Sequence, residues 1–129
     1  MPRLLLDGHV LVWWLAGDES LALPARAAIG DAANEVFVSA VSAWQIATKH
    51  RIGQMPQAGF LTGEAAAIIA EQGFTELPLT IRHAQVAGSL PALDPDPFIR
   101  ALVAQAIVEE LVIVSDLTAF DTYGVTRLW

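Results

Sequence analysis

The sequence predicts an α/β domain built on a mainly parallel sheet, and three observations carry that prediction. The runs RLLL, EVFVS and LVIVS are apolar nearly throughout, as strands buried on both faces are. Between them lie segments whose apolar residues recur at helical spacing, so strands and helices alternate. Neither an internal repeat nor a low-complexity linker breaks the 129 residues, which places a single domain over 1–129. At 54% hydrophobic residues, the chain can bury a sizeable core.

Taken in order, RLLLD reads as a short buried strand ending at Asp7, and HVLVWWLAG as a helix stopped by Gly17. LPARAAIGDAAN is a second short helix with Pro24 in its first turn, where a missing N–H costs nothing. EVFVS has the β-branched and aromatic content of a strand. SAWQIATKHRIG spaces Trp44, Ile46, Ala47 and Ile52 for a helix that ends at Gly53. Leu61 to Glu71 is an alanine-rich helix, FTELPL has room for a brief strand, and TIRHAQVAGSL is helical. A further helix starts in LDPDPFIR and runs to about Glu110, LVIVS is a strand, and AFDTYGVTRLW gives a helical turn with room for a last strand.

Composition narrows the function. Fourteen acidic against seven basic residues give a net charge of -7, which argues against coating duplex nucleic acid by broad charge neutralisation. A small RNA site remains compatible with it. The absence of cysteine removes disulfides and thiolate metal sites, and the apolar run near the N-terminus is too short for a membrane span. No membrane association and a cytoplasmic address are the expectations.

Ligands of parallel sheets sit beyond the carboxyl ends of the strands. Asp7 ends the first strand and Asp116 ends LVIVS, so both are candidates to meet at one edge. Each also suits a plainer role: Asp7 as cap of the helix near His9, Asp116 as cap of the AFDTY turn. Asp96 before Pro97 has the pattern of an N-cap, and Asp94 before Pro95 that of a turn. Converging carboxylates repel unless protonated or neutralised by a cation, and oxygen-only ligands suit Mg²⁺ or Mn²⁺ over zinc. Ser42 and Gln45 have capping-box spacing, while the Gln45 amide offers a metal only a carbonyl oxygen. Lys49, His50 and Arg51 form the densest basic cluster, either a solvated face or a phosphate contact. His9 and His83 have no metal spacing, and the four tryptophans suit packing, Trp129 at the C-terminus.

The blocks LLLDGHVLVWWLAG, VFVSAVSAWQIATKHRIG, GSLPALDPDPFIRALVAQAIVEEL and VIVSDLTAFDTYGVTRLW, in this order, resemble the PIN-domain family and most closely its VapC-type toxins. The resemblance covers essentially the whole chain. It implies a three-layer α/β/α fold and a Mg²⁺- or Mn²⁺-dependent endoribonuclease that cuts RNA, acts as a homodimer and is silenced by a cognate antitoxin protein. The implied site comprises Asp7, Asp96 and Asp116 as metal ligands and Gln45 beside them, with Lys49 and Arg100 as candidate RNA contacts.

The match has departures. Gly8 stands where the family has threonine, Gln45 where it has glutamate, and Ile99 where close relatives carry the second aspartate of an aspartate-proline-phenylalanine-aspartate-arginine motif. Counted back from Phe120, Tyr123 and Gly124, the last family aspartate falls on Leu117, with Asp116 one residue early. A lost carboxylate removes both charge and a ligand oxygen, and magnesium tolerates poor geometry badly. Two functions therefore compete: a ribonuclease with a thinned site, and a degenerate domain that binds RNA or an antitoxin without cutting. A phosphotransfer domain is a distant third, because His9 stands where an aspartate-nucleophile phosphatase would carry its second aspartate.

Overall fold

The computed structural model describes residues 2–91 and 94–129; Ala92 and Leu93, inside the GSLPALDPDP block, lie outside the described residues. Strand β1 (Arg3–Leu6) leads into α1 (Gly8–Ala16), α2 (Leu23–Gly30) and β2 (Glu35–Ser39). Then come α3 (Ala40–Arg51), α4 (Ala65–Glu71), β3 (Thr75–Leu77) and α5 (Ile81–Ser89). Helix α6 (Pro97–Glu109), β4 (Val112–Val114) and β5 (Arg127–Leu128) complete the fold.

The strands form one sheet in the order β3-β2-β1-β4-β5, every pair parallel. Leu5 lies between Phe37 and Ile113 in register, so β1 is the central strand. Alternation along the strands then separates two cores. Leu4, Leu6, Val36, Val38 and Val114 pack with Val10, Leu11, Ala25, Ile29 and Ile69 of α1, α2 and α4. Leu5, Phe37 and Ile113 pack with Leu102, Val103 and Ala106 of α6. The result is the three-layer α/β/α arrangement expected for apolar parallel strands. The chain leaves β1 toward β2 and β3, then returns to place β4 on the other side of β1. This reversal opens the crevice in which such sheets hold ligands at the carboxyl ends of β1 and β4.

Local signals explain most boundaries. Gly17 ends α1 in the left-handed region (φ 65°), its N–H reaching the Trp13 and Trp14 carbonyls. Pro24 sits in the first turn of α2. The predicted Leu61–Glu71 helix is shorter than expected: a 3-10 helix occupies Pro56–Leu61, and α4 starts only at Ala65. Thr62 and Gly63, both weak helix formers, lie at the break, where the Thr62 hydroxyl donates to the Gly59 carbonyl. Glu110, after α6, adopts φ 57°, which strains a side-chain-bearing residue. Glu110→Gly is expected to stabilise the fold by roughly 0.5–1 kcal/mol, read as a higher urea midpoint.

Candidate functional site

Asp7 follows the last residue of β1 and is 1% exposed. Its backbone N–H donates to the Val114 carbonyl of β4. It is the N-cap of α1, with Oδ1 accepting from the His9 N–H at 3.1 Å. Oδ2 accepts from the Ser115 hydroxyl at 2.6 Å. One carboxylate thus ties β1, α1 and the end of β4 together, its charge stabilised by the helix N-terminus. The His9 ring stands at the edge, Nδ1 3.8 Å from Oδ1, and continues outward through Trp13 to Trp129 with ring centroids 6.0 and 5.8 Å apart.

Ser115 is the partner that sequence reading missed. The chain leaves β4 with Ser115 buried and the next residue, Asp116, exposed, so the hydroxyl and not the acid turns toward Asp7. Asp116 does not cap the following turn either, since that 3-10 helix (Thr118–Tyr123) begins after Leu117 without a side-chain cap. Its charge acts instead on Arg127 of β5, whose guanidinium is held more basic than usual, first by its hydrogen bonds to Asp121 and also by Asp116. The same guanidinium holds the Asp121 carboxyl below the usual carboxylate range. A depressed folded-state value means the stabilisation is present above the unfolded carboxylate value and lost as pH falls through the folded one. Below about pH 4, the protection of β5 amides relative to their intrinsic exchange rate is therefore expected to fall by a small amount, the carboxyl being exposed, and Asp121→Asn to remove that pH dependence.

The second wall comes from α3. Its cap is Ser39, whose Oγ accepts from the Val41 N–H, so the expected Ser42–Gln45 capping box is not formed. Ser42 lies a turn inside the helix and donates to the Leu6 carbonyl at 3.2 Å. Gln45 is 4% exposed, and its Oε1 is buried without a hydrogen-bond partner. That oxygen lies over Gly8: a Cβ at residue 8 would come within 2.6 Å of it.

The third wall is the start of α6. Asp96 caps it, Oδ1 accepting from the Phe98 N–H at 2.9 Å, with Pro97 at the first position. Asp94 is a turn residue, its Oδ1 accepting from the Asp96 N–H, while its own N–H donates to the Tyr123 hydroxyl. Ile99 is 8% exposed and packs in the core with Leu5, Phe37 and Val41. Trp44 of α3, largely exposed, meets the Phe98 ring edge-on at 4.9 Å and bridges the two helices.

The basic candidates part company. Arg100, one of the two candidate RNA contacts, donates to the carbonyls of Ala87, Leu90 and Pro91. A guanidinium fork spent on carbonyls at the end of α5 is committed to structure. Arg100→Ala is expected to cost about 2 kcal/mol in chemical denaturation, through the loss of three charge-assisted hydrogen bonds. Lys49, His50 and Arg51 occupy the last turn of α3, where positive charge complements the helix dipole. Of the histidines without metal spacing, His83 is the buried one: Nδ1 accepts from the Thr80 N–H and Nε2 meets Glu109 at 2.8 Å.

A family model described as PIN domain matches residues 4–124. The chain belongs to the PIN-domain family. Solved structures with the PIN-domain fold seen here include VapBC2 from Rickettsia felis bound to a DNA fragment from their promoter, at 10% identity and TM-score 0.70, covering 98% of each chain. FitAcB from Neisseria gonorrhoeae matches at 16% identity and TM-score 0.61, over 98% of this chain and 96% of that one. A structure of FitAB bound to the IR36 DNA fragment matches at 15% identity and TM-score 0.58, over 97% and 93%. No curated protein sequence matches the chain. Among the described residues no helix is long and apolar enough to cross a membrane.

PIN domains are in general divalent-metal-dependent nucleases, so the donor set here can be tested against that chemistry. Among the described residues, no three His, Cys, Asp or Glu side chains come together closely enough to hold a metal ion. Asp7, Asp96 and Asp116 therefore do not form the expected trio. Magnesium keeps several of its waters and needs carboxylate oxygens open to that hydrated shell. Asp7 is buried with both oxygens hydrogen-bonded, Asp96 caps a helix, and Asp116 is exposed with its charge acting on Arg127; Ile99 and Leu117 bring hydrocarbon where the family has acids. The residues present do not fit a divalent cation.

Proposed function

We propose that this PIN domain works by binding, as the VapC-like half of a toxin–antitoxin-type pair, and does not hydrolyse RNA. The observation that carries this reading is the state of Asp7: the one acid in register at the end of β1 is buried, with both oxygens taken by His9 and Ser115. Nothing at Gln45, Ile99 or Leu117 replaces the missing charge. Family membership and a fold shared with VapBC and FitAB complexes support an antitoxin protein as partner. A homodimer and a cytoplasmic address are part of the same proposal.

The test incubates the purified protein with single-stranded RNA and Mn²⁺, and separately co-expresses it with the product of the reading frame immediately upstream of its gene. Intact RNA together with a stable complex is the expected result. Metal-stimulated cleavage that disappears in Asp7→Asn would contradict it.

A second reading, an endoribonuclease of reduced activity using Mg²⁺ or Mn²⁺ with Asp7, Asp96, Asp116 and Gln45, is favoured by one observation. The unpartnered Gln45 Oε1 is a buried oxygen beside the residue that follows Asp7. A buried acceptor without a donor costs free energy, and a bound cation would relieve it. The RNA assay separates the two readings, since only the second expects products.

A further inference from the structure

We infer that the centre at the end of β1 is a metal-free latch: Asp7 holds β1, α1 and β4 together, and Gly8 and Gln45 are a matched pair closing the space beside it. The inference deepens the non-hydrolytic reading by assigning the retained acid a job that needs no ion.

The first ground is connectivity. Asp7 accepts from the His9 N–H and the Ser115 hydroxyl, and Ser115 Oγ in turn accepts from the Leu117 N–H at 3.0 Å. These bonds run unbroken from the first turn of α1 to the chain leaving β4, across the crevice where a ligand of this sheet type would enter. Acids gathered to hold a cation repel one another without it, so removing one relieves the ion-free fold. An acid that caps a helix and accepts a hydroxyl proton has the opposite sign, because its removal leaves two donors unpaired.

The second ground is Gly8. Its φ is not positive, since the glycines in that region are Gly17, Gly53, Gly73 and Gly124. The backbone of a first helical residue gives no reason for glycine, and alanine would favour the helix. The reason lies across the space: a Cβ would stand 2.6 Å from Gln45 Oε1 and 3.4 Å from Ile46 Cγ1. With glycine at 8, the Gln45 side chain lies buried over the start of α1. A side chain at 8 would make the end of the Gln45 side chain shift from this seat.

The test is thermal unfolding in excess chelator, with no partner, RNA or ion present, so it fails independently of the binding proposal. Asp7→Ala is expected to lower Tm by about 10 °C, and Asp7→Asn, which keeps the cap acceptor, by less than half of that. Gly8→Ala is expected to raise Tm more in Gln45→Ala than in the natural background, because only in the latter must the Gln45 amide move aside. An unchanged or higher Tm for Asp7→Ala overturns the latch. A Gly8→Ala effect that is the same in both backgrounds overturns the matched pair.

Discussion

Ile99→Asp is expected to lower the unfolding free energy by about 3–5 kcal/mol in chelator, because it sets a carboxylate into hydrocarbon without a partner. Ile99 is 8% exposed and packs with Leu5, Phe37 and Val41 on the α6 face of the sheet. Urea unfolding with and without Mn²⁺ reads the effect. In the triple variant Gln45→Glu, Ile99→Asp, Leu117→Asp, the ion is expected to return part of the loss, about 2.7 kcal/mol at a hundredfold excess over Kd. Ion-insensitive stability in that variant would mean that the family's acid positions no longer converge in this backbone.

The second large effect concerns a polar network inside the core. Gln105 is fully buried on α6; its Oε1 accepts from the Ser39 hydroxyl at 2.5 Å and its Nε2 donates to the Pro78 carbonyl at 3.3 Å. His83, packed beside it, joins the start of α5 to Glu109 near the end of α6. Gln105→Leu is expected to cost about 3 kcal/mol, since it keeps much of the volume while orphaning a buried hydroxyl and a carbonyl. Because Ser39 also caps α3, the loss is expected at α3 as well as α5 in amide exchange, rather than at α6 alone.

Much of the fold was legible because it rests on continuous apolar runs, helical spacing and punctuation. The three apolar runs became the central strands, Gly17 and Pro24 marked α1 and α2, and Asp96 with Pro97 opened α6. Short-range capping was less legible where several hydroxyls compete. Ser39 and Ser42 both suit an N-cap by type, and only the end of β2 decides for Ser39. The break at Thr62 and Gly63 was hidden by the alanines that follow.

The site was legible by position and opaque by orientation. Asp7, Gln45 and Ile99 all lie near the carboxyl edge that topology selects. Whether an acid faces inward depends on a single residue step, and at the end of β4 that step gives the inward place to Ser115 and turns Asp116 outward. Arg100 is opaque for a related reason. A cation near an acidic motif suggests phosphate, but its three carbonyl partners come from the end of α5 and the residues just after it, whose approach to α6 no local pattern encodes.

The proposed hydrogen-bonded latch leaves no place for an ion at the end of β1. Isothermal titration of the unaltered protein with Mg²⁺ and Mn²⁺ decides this. The expected result is no saturable heat up to millimolar ion; a one-site isotherm with millimolar or tighter Kd, abolished by Asp7→Asn, would contradict it.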